Sequence, residues 1–174
     1  MKRTHQQADE EWFPVVNEQG ETIGKATRRE CHCGTTQLLH PVVHLHVFNA
    51  GGELYLQKRP LHKDMQPGKW DAAVGGHVDY GETVTDALRR ETLEELGITA
   101  FNPVLIARYV FESEAEKELI HAFRTVCTEK ITPNSEELDG GRFWNTDEIR
   151  ANLGKNIFTP NFEHEFRTFL TIPQ

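Results

Sequence analysis

Along much of this 174-residue chain, apolar side chains recur in short runs bounded by Gly, Asn, Pro and acidic turns, which is the pattern of strands. Residues 12–16 and 22–27 flank Asn17-Glu18-Gln19-Gly20 and predict an N-terminal hairpin; residues 42–48 and 53–57 flank Asn49-Ala50-Gly51-Gly52 and predict another. Further strands are expected over 104–111 and 119–128, divided by the acidic turn 112–117, and a short one over 142–144 leads into a helix over 146–152. The last helix takes Thr159 as N-cap and Pro160 at its first position, with Phe162, Phe166 and Leu170 as its packing stripe. Strands on both sides of a central helix, with more helices at the end, predict an α+β or α/β sandwich around a mixed sheet.

The central helix breaks its own pattern. Over residues 84–96 the period is helical, and Val84, Ala87 and Leu88 make an apolar stripe, yet the same face continues as Glu91, Glu94 and Glu95. Thr83 with Asp86 predicts a capping box at one end, and Gly97 a left-handed residue at the other. An acidic helix is ordinarily a solvated face with a few ion pairs. Here the acids occupy the face that should be buried, and like charges three and four residues apart repel unless something compensates them. A hard divalent cation such as Mg²⁺ or Mn²⁺ suits carboxylate oxygens and bridges readily to phosphate. Just before the helix, Gly75 and Gly76 allow close backbone approach, and the Gly75 carbonyl is a candidate further ligand.

These residues carry a resemblance. The segment 76–98, GHVDYGETVTDALRRETLEELGI, resembles the Nudix box at every charged and glycine position: Gly76, Glu82, Arg90, Glu91, Glu94, Glu95 and Gly97. Its one departure is Thr92 where an aliphatic residue is usual. The resemblance implies an α/β/α sandwich and a metal-dependent hydrolase that cleaves a diphosphate linkage. It also implies that Glu91, Glu94 and Glu95 hold the ion, Arg90 holds a glutamate in position, and Glu82 braces loop and helix. Diphosphates resist nucleophiles through their own charge, so a cation must neutralise that charge and acidify a bound water. Glu94 and Glu95 are both open as general base.

A wider resemblance, over residues 12–152, is to the isopentenyl-diphosphate isomerase branch of the same superfamily, carried by LLH at 38–40, VFNAGGELYLQKR at 47–59 and PGKWDAAVGGH at 67–77. It implies that Arg59 and Lys63 hold the substrate diphosphate, with Gly76 and His77 beside it. It further implies a second metal site, for Zn²⁺ or Mn²⁺, from His40, His77, Glu116 and Glu118, with its first ligand at Cys33 or His32; Glu118 is also a candidate ligand of the first ion. The isomerase cysteine is replaced by Gly75, and glycine cannot protonate carbon. Hydrolysis is therefore the leading expectation, with an isomerase-like enzyme or a non-catalytic nucleotide-sensing module as alternatives.

Composition narrows the picture. A net charge of −8 argues against a general nucleic-acid binder, though not against a small anionic substrate, since Lys58, Arg59, Lys63 and Lys69 precede the glycine loop. No apolar run is long enough for a membrane span or a signal peptide, and three cysteines (Cys31, Cys33, Cys127) cannot all pair, so a cytoplasmic enzyme is expected. Residues 1–10 read as a flexible N-terminus and 11–174 as a single domain. Trp70 and Trp144 read as core rather than as base-stacking platforms. By the Nudix resemblance, Glu136 and Glu137 lie where some members carry an extra catalytic acid, and a homodimer is among the open assemblies.

Overall fold

A computed structural model describes residues 11–33, 35–63 and 65–170. The expected flexible segment 1–10 lies outside the described residues.

Strands β1 (Trp12–Val16) and β2 (Thr22–Thr27) form an antiparallel hairpin, as the turn at Asn17 to Gly20 predicts. A four-residue helix, α1 (Arg28–Cys31), follows on a capping box between Thr27 and Glu30 that the apolar pattern does not reveal. Among the described residues the main sheet has seven strands: β3 (Leu39–Phe48), β4 (Leu54–Lys58), β5 (Trp70–Asp71), β6 (Val74–His77), β7 (Val104–Glu112), β8 (Lys117–Val126) and β9 (Gly141–Trp144). They run in the order β5-β4-β3-β8-β7, with β6 joined to β3 and β9 to β4. The pair β3–β8 is parallel from Leu39 opposite Lys117 to Phe48 opposite Val126; the other pairings are antiparallel, so the sheet is mixed.

The long parallel pairing explains why β3 starts three residues before the expected position 42. It also explains the burial of His40, His44 and His46: β3 is central and covered on both faces, so its polar positions face protein rather than water. Strand β6 escapes sequence reading because its two glycines leave no alternation to read, and β5, only two residues long, is too short to show any.

Two helical layers cover the sheet. Helix α2 (Val84–Leu96) lays Ala87, Leu88 and Leu96 on Val43, Leu45 and Val47. On the opposite side α3 (Thr146–Asn152) and α4 (Pro160–Glu165), the latter continued by a π-helical turn at Phe166–Leu170, enclose Leu54, Leu56 and Trp144 with Ile149, Phe158, Phe162 and Phe166. Burying a side chain such as Phe162 or Leu88 contributes about 1.5–3 kcal/mol. Trp144 is core as expected; Trp70 is only half-buried and meets it edge to face at 5.1 Å. Among the described residues, no helix is long and apolar enough to cross a membrane.

Candidate active site

Helix α2 begins where Thr83 accepts from the Asp86 amide at 3.1 Å. The other half of the expected box is altered: the Thr83 hydroxyl donates to the Asp86 carboxylate at 2.7 Å. The helix ends where Gly97 takes φ 69° and its amide donates to the Leu93 carbonyl. Thr92, at the box's aliphatic position, is buried and donates its hydroxyl to the Leu88 carbonyl at 2.6 Å, so its polar atom is satisfied within its own helix.

The three acids of the helix meet different surroundings. Arg90 is the hub: Nε and Nη2 donate to the two oxygens of Glu82, both at 2.9 Å, Nη1 donates to Glu91 at 2.6 Å, and Nη2 also reaches the His77 carbonyl at 3.0 Å. Glu82 in turn accepts from the Asp79 amide at 3.1 Å, which ties the loop before the helix to the same arginine. Glu91 lies against Gly76, where a Cβ would collide with its carboxyl carbon. Glu95 is buried and accepts from the Gly75 amide at 3.2 Å and from Gln57 at 3.3 Å. Glu94 is the most open of the three and stands 3.6 Å from Arg90. The Gly75 amide thus orients Glu95.

Burial pushes the Glu91 carboxyl up to about 7 against the pull of Arg90. Glu95 rises well above the usual carboxylate range through burial first and the nearby Glu91 second. Two buried acids so close together are held as anions at a cost that a divalent cation would remove. An all-oxygen donor set suits a hard ion.

The nominated substrate cations are placed differently. Arg59 is turned into its own loop, donating to the Met65 carbonyl at 2.9 and 3.1 Å and standing 3.5 Å from Asp71. Lys63 is exposed on that loop and makes no ion pair among the described residues.

On the other side of the loop, His32, His40 and His77 gather with their ligand atoms within 4.8 Å of one another. The Nε2 atoms of His32 and His77 stand 3.2 Å apart, and His32 Nε2 lies 3.0 Å from a Glu116 oxygen. Phe13, from the hairpin, stacks on His77 at 4.5 Å. The Leu38 carbonyl engages His40 Nδ1, while His40 Nε2 is buried without a partner. Burial lowers all three histidines, His32 to about 4, so their lone pairs stay available to a cation. Glu118, in register with His40, is raised to about 8 by burial and then by Glu116. The structure brings His32 into this cluster; Cys33, the other option, is exposed and has its Sγ turned to the Glu30 carbonyl, Thr35 and Thr36. The fit is to a Zn²⁺-like or Mn²⁺-like ion.

One constellation was not anticipated. Glu165, fully buried on α4, is met by His44 Nδ1 at 2.8 Å, His46 Nε2 at 2.7 Å and the Tyr109 hydroxyl at 2.7 Å. The signal was available, because Glu165 stands three residues after Phe162 and beside Phe166 on the apolar stripe, the same anomaly that marks α2.

Residues 38–164 match the family model of the NUDIX domain. The chain is 30% identical over 161 residues to an uncharacterised Nudix hydrolase of Yersinia pestis, covering 92% of this chain and 86% of the relative. It is 32% identical over 154 residues to one of Listeria monocytogenes, covering 88% and 90% respectively. Among solved structures, a protein of Deinococcus radiodurans shares the fold with TM-score 0.77 at 23% identity over 90% of this chain and 98% of that one. A MutT protein of Methanosarcina mazei superposes with TM-score 0.64 at 25% identity over 74% and 91%.

Proposed function

This chain belongs to the Nudix family and is a Nudix hydrolase, and from that premise we propose that it is a Mg²⁺- or Mn²⁺-dependent enzyme cleaving the diphosphate linkage of a nucleoside diphosphate derivative. The observation that carries the reading is the fixed triangle of Arg90, Glu82 and Glu91 beside the pinned carboxylate of Glu95. Glu91, Glu94 and Glu95 hold the ion. When bound, it neutralises phosphate charge and lowers the pKa of a coordinated water. Glu82 fixes the Arg90 fork, and the fork fixes the Glu91 carboxylate before substrate arrives, so little reorganisation remains for the reaction itself. Gly75 and Gln57 hold one Glu95 oxygen and leave the other free. Gly76 gives Glu91 the space in which it lies.

His32, His40, His77 and Glu116, with Glu118 adjacent, form a second cation site in this reading, supported by the unpartnered Nε2 of His40. Arg59 and Lys63 reach the substrate diphosphate only if their loop turns from the contacts it now makes. An isomerase reading lacks support at Gly75, where no side chain can carry a proton to carbon.

Release of phosphate from a panel of nucleoside diphosphate derivatives in Mg²⁺ or Mn²⁺ tests the reading. Turnover that collapses in Glu94→Gln and Glu95→Gln is expected; turnover unchanged in both, or absent in the wild type with either metal, overturns it.

A further inference from the structure

A carboxylate with no exposed surface and three donors is an expensive core element, since an apolar group of similar volume fills a core without desolvating a charge. Glu165 nevertheless sits beneath the sheet with His44, His46 and Tyr109 converging on it. Of these three, His46 is sealed in the interior, and the Tyr109 hydroxyl is spent on Glu165. The His44 ring is placed otherwise. Its Nδ1 faces Glu165, an anion that only accepts, so the hydrogen on that nitrogen is fixed and the opposite edge, Nε2, is the one left to act. That edge turns to Gly75, where a Cβ would stand 3.7 Å from Cδ2 and 3.9 Å from Nε2. Nε2 makes no hydrogen bond among the described residues, and the side chain keeps 10% of its surface open. Gly75 is the same residue whose amide holds Glu95, so its backbone carries the acid on one side and the imidazole on the other.

We propose that His44 is a binding residue for the diphosphate substrate, donating from Nε2 to a phosphoryl oxygen beside Gly75, and that Glu165 is the positioning residue that aims its ring. This rests on the hydrolase reading above and adds a substrate contact to the same site. The geometry explains why an acid is retained under an imidazole, and why the strand opposite carries a glycine: any side chain at position 75 would stand between the ring and the substrate. Arg59, the nominated diphosphate contact, is meanwhile engaged by Met65 and Asp71. Burial alone would push the His44 imidazole down, but Glu165, with Asp71 and Glu118 beyond it, raises it to about 9.

Calorimetric titration of inorganic pyrophosphate into the Mg²⁺-supplied protein tests the assignment. His44→Leu is expected to weaken binding roughly ten- to a hundredfold, the range for a bond to a charged group, and His44→Gln, whose amide donates without titrating, to recover most of it. Glu165→Gln, nearly isosteric, leaves the ring in place without its anchor and is expected to lose about tenfold in the same assay. In the wild type, the His44 Nε2 resonance should shift when pyrophosphate is added, a readout independent of any variant's folding. Unchanged pyrophosphate affinity in a folded His44→Leu protein, a His44→Gln variant no better than the leucine, or an unmoved Nε2 resonance overturns the proposal. The two readings separate cleanly: if Glu94→Gln and Glu95→Gln abolish turnover while His44→Leu binds pyrophosphate normally, the hydrolase stands and the His44 contact falls. If those glutamine variants turn over freely while His44→Leu loses pyrophosphate, the reverse holds.

Discussion

Arg90 grips Glu82 side-on, with Nε and Nη2 each donating to a different oxygen at 2.9 Å, so a loop residue and a helix residue eight positions apart behave as one rigid piece. The geometry is bidentate, and the same guanidinium also holds Glu91 and the His77 carbonyl. Lysine cannot reproduce that fork. Arg90→Lys is expected to lower kcat/KM by at least about a hundredfold and to cost about 1–3 kcal/mol of stability, because acceptors in partly buried positions lose their donors. Steady-state kinetics beside thermal melts check both figures; a loss of stability with unchanged kinetics would confine the fork to folding.

Gly76→Ala puts a methyl group where the Glu91 carboxyl carbon lies. The carboxylate is the end of a flexible chain, so the expected result is a folded protein with Glu91 displaced. Manganese affinity, followed by calorimetry, should fall by about tenfold or more, the cost of one charge-assisted contact. Wild-type affinity in the alanine variant would show that Glu91 does not hold the ion from its present position.

The raised carboxyl of Glu91 has a pH signature. Its folded value, about 7, lies above the ordinary 4.5, so between these values the folded protein binds more proton at this site than the unfolded chain. Stability from this group is therefore present below about 4.5, is lost as pH rises towards about 7, and changes little above. The difference in unfolding free energy between wild type and Glu91→Gln, measured in chelator, should move against the wild type across that window. Saturating Mg²⁺ should flatten the trend. A difference that is level with pH in chelator would contradict the burial of this acid.

Chelator-stripped protein is expected to take up two classes of ion, one at the glutamates and one at the histidines. His40→Ala, which removes the buried unpartnered Nε2, should eliminate one equivalent of bound Zn²⁺ or Mn²⁺ while leaving the Mg²⁺ requirement intact. Metal content by atomic absorption decides it: two equivalents retained in the alanine variant would remove the histidine cluster from the account.

How much of this was legible in the sequence follows from what each signal depends on. The hairpin, the central helix with its glycine stop and the last helix were readable because alternation, caps and turn residues are local. The acids of α2 were readable because a broken apolar stripe is visible without coordinates, and the roles of Arg90 and Glu82 came from resemblance. Strand β6 was not, since Val74–His77 holds two glycines and its pairing with β3 is set by tertiary contact. The choice of His32 over Cys33 turned on one helical turn at α1, which places adjacent residues in different directions. Glu165 shows locally only as an acid on the apolar stripe of the last helix; the side chains that meet it lie more than fifty positions away, on β3 and β7.

The most direct test of the central claim is an anomalous difference map from crystals soaked in manganese. The account predicts a manganese peak within coordinating distance of carboxylate oxygens of Glu91, Glu94 and Glu95. A map with the histidine cluster filled and no density among those three glutamates, their side chains apart and solvated, would contradict it.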